Sequence, residues 1–119
     1  MKRLAPLLLL AAAPLHAESP EIVSAEATEA AGGWRIVVTL RHPDTGWDHY
    51  ADGWEVLAPD GTRLGVRELT HPHVNEQPFT RSLSAIAIPE PIRQITIRAR
   101  CSRDGWSEDS FTIPLPRAD

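Results

Sequence analysis

The sequence predicts an all-β protein: a single antiparallel sandwich of about seven short strands behind an N-terminal leader. Three observations predict it. Apolar residues recur at every second position, and no window of eleven or more residues repeats at helical spacing. Clusters of glycine, proline and aspartate punctuate these runs at short intervals. The 119-residue chain, once its leader is set aside, has the length of one domain with a modest core.

The leader comes first. Residues 1–17 begin with Lys2-Arg3, continue through Leu7-Leu-Leu-Leu-Ala-Ala-Ala13 and close on Ala17. A basic start, a short apolar run and a small terminal residue form an export signal. The run is too short to span a bilayer, which takes roughly 20 apolar residues. Residues 18–119 are then the folded domain. Its single cysteine, Cys101, is far from the leader, so no N-terminal lipid attachment and no internal disulfide are expected. Nothing later in the chain is apolar enough to act as an anchor. The expected location is the periplasm or the medium of a bacterium.

The strands follow in order. Ranges 21–29 and 33–41 are separated by Gly32-Gly33, and in the second Trp34, Ile36, Val38 and Leu40 alternate with Arg35, Val37, Thr39 and Arg41. Ranges 53–58 and 62–69 are joined by Ala58-Pro-Asp-Gly-Thr62, where proline presets one dihedral and glycine supplies a positive φ. In 79–88 the apolar phase slips near Ser84-Ala85, which predicts a bulge or a change of sheet. Ranges 93–101 and 109–115 complete the set, with Ile95, Ile97, Ala99 and Cys101 on one face. Seven short strands in about 100 residues fit an immunoglobulin-like, more narrowly fibronectin-III-like, sandwich. Every tryptophan follows a glycine, at 34, 47, 54 and 106. Three of them are expected in the core or at its corners, and Trp47, in mid-loop, is expected to be exposed.

Composition narrows the function. With Lys2 and Arg3 removed, ten arginines and no lysine face sixteen acidic residues, a net charge of about −6. Such a chain is a poor candidate for nucleic acid or anionic membranes. The four histidines beyond the leader fall in two segments, His42-Pro-Asp-Thr-Gly-Trp-Asp-His-Tyr-Ala-Asp-Gly-Trp54 and His71-Pro-His-Val-Asn-Glu-Gln-Pro-Phe-Thr-Arg81. These segments resemble a group of small exported bacterial proteins of unassigned activity. The resemblance covers most of the domain and implies export and a single domain, but no chemistry.

Two functional readings arise from these segments. The first is a non-catalytic exported binding module, monomeric, whose 42–52 and 70–78 loops meet a protein or glycan through Trp47, Tyr50, Asp48, Glu76 and Arg81, aromatic residues and arginine being common interface anchors. The second is a copper(II)- or zinc(II)-binding protein. Residues two apart in an extended segment share a face, so His71 and His73 could chelate one ion with help from His42 or His49. Both readings require the two segments to adjoin. The first needs no cofactor.

Other chemistries fit poorly. Asp44, Asp48 and Asp52 recur every fourth position, unlike the ligand spacing of a helical-hand calcium loop. Asp44-Thr-Gly46 matches the aspartic-protease tripeptide, but its flanks are wrong, and a turn starting at Asp44 explains it more simply. No serine lies in a nucleophile elbow. Cys101 points inward by its phase, as an inert thiol does. No enzymatic role is expected. Arg81 shares the phase of Phe79 and Leu83, and an inward arginine there would tie the two histidine segments together, with Glu76 or Asp48 as partner.

Overall fold

In the computed structural model, residues 19–117 are described; the leader predicted over 1–17 and the last two positions lie outside the described residues. Among them every regular element is a strand, and no helix is long and apolar enough to cross a membrane. Two antiparallel sheets pack face to face. The first contains β1 (Glu21–Ala30), β2 (Gly33–Arg41) and β5 (Phe79–Ile86), with β2 in the middle. In the second, β3 (Ala51–Leu57) lies between β4 (Arg63–Glu68) and β6 (Gln94–Cys101), and β6 carries both β7 (Gly105–Trp106) and β8 (Phe111–Pro114) on its far edge. The seven anticipated strands are all present to within a few residues. The two-residue β7 is additional, because Gly105 turns with φ +79° and lets the chain touch β6 briefly before β8.

The alternation that predicted the strands also builds the core. Trp34, Ile36, Val38 and Leu40 from β2 meet Trp54 and Val56 from β3 and Ile95, Ile97 and Ala99 from β6 across the interface. Burying each such side chain contributes roughly 1.5–3 kcal/mol. The phase slip in β5 is a bulge. Trp34 pairs with Ile86 while Ile36 pairs with Leu83, so β5 holds one more residue than β2, and Ala85 takes φ 59°. Gly33 makes room for it: a Cβ there would lie 2.9 Å from the backbone carbon of Ala85.

Two of the tryptophans expected inside, Trp34 and Trp54, are fully buried. Trp106 is not a core residue. It pairs with Arg100 in register and lies half-buried on the outer face of the second sheet, with the guanidiniums of Arg63, Arg98 and Arg100 at 5.0–5.4 Å from its ring centre. Below them Glu55, 2 % exposed, takes Arg63 on one carboxylate oxygen and Arg98 on the other.

Strand direction determines where the loops go. β2 ends, β3 begins, β4 ends, β5 begins and β6 ends at one pole of the sandwich. Residues 42–50, 69–78 and 102–104 therefore gather there, while the 58–62 turn and the 87–93 connection lie at the opposite pole.

Candidate functional site

Asp44 is the centre of the loop pole. Its side chain is wholly buried. One oxygen accepts from Nδ1 of His42 at 2.6 Å and from the amide of Ala51 at 3.0 Å. The other accepts from the amide of His73 at 2.7 Å. Three donors converging on one carboxylate offset the cost of taking it out of water. A second tie runs beside it: the His42 amide donates to Oε1 of Gln77 at 2.9 Å, and Nε2 of Gln77 donates to the His73 carbonyl at 2.9 Å. The two histidine-bearing segments therefore adjoin, joined through Asp44 and Gln77.

The turn expected to start at Asp44 starts two residues later. The amide of His49 donates to the carbonyl of Gly46 at 3.1 Å and that of Thr45 to the carbonyl of His49 at 3.0 Å. Gly46 provides φ +151°. Because Asp44 is drawn inward by its three donors, the tip of the loop becomes Trp47-Asp48. Trp47 is 69 % exposed and meets Tyr50 edge-on, with ring centres 5.7 Å apart. Asp48 faces solvent, 4.0 Å from Arg103 of the neighbouring loop. Asp52 goes elsewhere, to Arg100 at 2.8 Å. The three aspartates weighed for calcium thus serve three separate partners.

His42 and His49 turn their rings toward each other, 4.8 Å apart and perpendicular. Cys101, at the end of β6 and opposite Ala51 in the register, lies beside them. One ligand atom each from His42, His49 and Cys101 fall within 4.8 Å of one another, and all three residues are buried. Since Nδ1 of His42 faces Asp44, its Nε2 is left for this cluster, and that atom has no hydrogen-bond partner. The amide of Arg103 donates to Sγ of Cys101 at 3.4 Å. Carboxylate, imidazole and thiol in sequence also make the order of a cysteine nucleophile and its base, but Cys101 is 1 % exposed, which keeps a substrate away from the sulfur.

His71 and His73 sit apart from that cluster. Their rings tilt against each other at 4.5 Å, with His71 exposed and His73 buried on Phe79 in a parallel stack at 3.9 Å. Nε2 of His73 meets a guanidinium nitrogen of Arg81 at 2.8 Å, and Nδ1 of His71 meets the Pro72 carbonyl at 3.0 Å. A guanidinium has only donors to offer, so Nε2 of His73 accepts from Arg81. Arg81 reaches Glu76 at 3.7 Å and the carbonyl of Thr80 at 2.7 Å. It holds the 70–78 loop to β5 and does not engage Asp48.

Burial, then the neighbouring Arg81 and His71, hold His73 below the usual imidazole value of 6.5. A lowered folded value means the unfolded chain binds the proton more readily. The contribution of neutral His73 is therefore complete above pH 6.5 and is lost as the pH falls below it. Denaturant midpoints measured from pH 7.5 down to 5 should fall, and His73→Gln should flatten that part of the slope.

Sequence reasoning singled out the histidines but set Cys101 aside. The inward phase of Cys101 was readable. Its pairing with Ala51, which brings it to the loop, depends on register.

No family model and no solved structure matches the chain. It is similar to an archaeal protein of Halomicrobium mukohataei named "Putative lipoprotein", 39 % identical over 87 residues, which cover 71 % of this chain and 42 % of the relative. The chain thus spans about two-fifths of the length of that curated relative.

Proposed function

We propose that this protein is a non-catalytic, exported interaction module that presents its loop pole to a protein or glycan of the cell envelope. The observation that carries the reading is Trp47: a large aromatic side chain, 69 % exposed, at the tip of a turn whose base is fastened by Asp44. An aromatic anchor on a pre-ordered turn loses little freedom on binding, and tryptophan and tyrosine are favoured anchors of interfaces. Export is supported by the leader pattern of residues 1–17 and by the relative's name. The sheet order β1-β2-β5 against β4-β3-β6, with β8 as well as the short β7 paired to the far edge of β6, supports the fibronectin-III-like form of the sandwich. In immunoglobulin-like variable domains, loops clustered at one end of the sandwich serve recognition, and the loops after β2, β4 and β6 gather in the same way here. Asp48 follows Trp47 at the tip of that turn, and exposed Val74 and the Glu76–Arg81 pair lie on the 70–78 loop and the start of β5 at the same pole.

The test is site-specific photocrosslinking in the host cell, with a benzophenone side chain at position 47 or, as a control, in place of exposed Glu90 at the opposite pole. The reading expects a discrete envelope adduct from 47 and none from 90. Trp47→Ala should abolish association with the captured species while shifting the thermal midpoint by less than about 3 °C, as surface changes do; Tyr50, half-buried behind it, is left in place. Equal labelling at both poles, or no adduct at 47, would overturn it.

A further inference from the structure

We propose that His42, His49 and Cys101 form a buried two-histidine, one-thiolate site for a thiophilic divalent ion, zinc(II) or copper(II), with Asp44 orienting His42 as a ligand. The site is distinct from the His71–His73 pair and from the exposed surface around Trp47.

Three observations converge on it. The first is donor chemistry: two imidazoles and one thiol, all buried, bring ligand atoms within 4.8 Å of one another. Zn–S and Zn–N bonds of about 2.0–2.3 Å would bring trigonally arranged donors to about 3.5–4 Å apart, so closure by at most about 1.3 Å from the 4.8 Å limit completes the set. Three donors of this kind suit trigonal copper, or zinc with one further ligand. The second is the outer layer. Metal-bound histidines commonly give their other ring nitrogen to a carboxylate, which fixes the tautomer and raises ligand basicity. His42 does this with Asp44 at 2.6 Å, and Asp44 is itself locked by two backbone amides. The amide of Arg103 pointing at Sγ of Cys101 is the equivalent support for a thiolate, whose charge it stabilises. The third is Nε2 of His42. It is deeply buried in a residue 1 % exposed and has no hydrogen-bond partner. A buried polar atom without a partner is rare in folded proteins, and a metal ion would satisfy it.

Binding is balanced simply. Cys101 loses its thiol proton to solvent and gives sulfur electron density to the ion, while His42 and His49 coordinate as neutral imidazoles. No electron transfer is involved. The fold supplies the rigidity: His42 follows β2, His49 closes the 46–49 turn, and Cys101 ends β6, so one ion would link both sheets.

The test titrates the purified protein with cobalt(II), a spectroscopic stand-in for zinc(II), and separately with copper(II). Cys101 is the sole thiol of the chain, so a thiolate-to-metal charge-transfer band in the wild type can arise only there, and the wild-type spectrum decides the question even if a variant fails to fold. The proposal expects such a band with at least one of the two ions, saturating at one equivalent, with zinc(II) displacing the cobalt. Cys101→Ser should lose the band and at least tenfold in affinity, whereas the His71→Ala, His73→Ala double variant should retain both. No charge-transfer band with either ion, or binding that disappears with His71 and His73, would overturn the site.

Discussion

Asp44→Ala is expected to destabilise the domain by about 4 kcal/mol. The carboxylate is wholly buried and accepts from His42, Ala51 and His73 at 2.6–3.0 Å. Its removal leaves three buried donors without an acceptor. Each such group costs about 1–3 kcal/mol, and partial relaxation of the loops toward water keeps the sum near the range for disrupting a buried charged cluster, about 3–5 kcal/mol. For a domain of this size that is a fall of roughly 15–25 °C in thermal midpoint. Asp44→Asn should lie between the two. Its oxygen can still serve His42 and Ala51, but its amide nitrogen, a donor, must face the donating amide of His73. Hydrogen exchange separates the roles: the His73 amide should lose protection in Asp44→Asn, while Ala51 keeps it. A loss below about 1 kcal/mol in Asp44→Ala would mean that the loop pole stands without this hub.

What the sequence conveyed and what it withheld follow from the same physics. Strands were readable because a half-buried sheet imposes a period of two, and β2 and β6 obey it residue by residue. The bulge was readable because an extra residue breaks that period, as it does at Ser84-Ala85. Trp47 was readable as exposed because it sits between turn formers. Cross-strand register was not readable. It places Cys101 opposite Ala51 and so beside the 42–50 loop, and from sequence alone an inward cysteine is only a small apolar residue. The burial of Asp44 was hidden for a related reason: a carboxylate in a turn-rich loop usually faces water, and here three donors from separate segments pull it in. The histidine segments were correctly expected to adjoin, whereas the partition into a His42–His49–Cys101 cluster and a separate His71–His73–Arg81 group is a product of tertiary packing.

The outer face of the second sheet leads to the other large effect. Arg98 and Arg100 alternate with the core residues of β6, and Glu55 occupies the same outward phase on β3, so a charged face was implicit in the pattern. Its depth was not. Glu55 is 2 % exposed, with Arg63 at 2.9 Å on one oxygen and Arg98 at 2.7–2.8 Å on the other. The guanidiniums in turn surround Trp106, and Gly53 leaves the space for Arg100, whose Nη2 would lie 2.8 Å from a Cβ at that position. Removing one member of a buried ion cluster typically costs about 3–5 kcal/mol. Here the arginine side chains are 49 % and 37 % exposed and can reach water, so the expected loss for Glu55→Ala is smaller, about 2–3 kcal/mol. Glu55→Met separates charge from volume. It refills the space but leaves Arg63 and Arg98 facing each other unneutralised, so it should recover less than half of the loss. Trp106 reports on both, because its guanidinium neighbours move when Glu55 goes, and its fluorescence should change in either variant. If Glu55→Met matched the wild type in urea, Glu55 would be serving as filler for the sheet, and the three arginines would be held by Trp106, Asp52 and Glu68 without it.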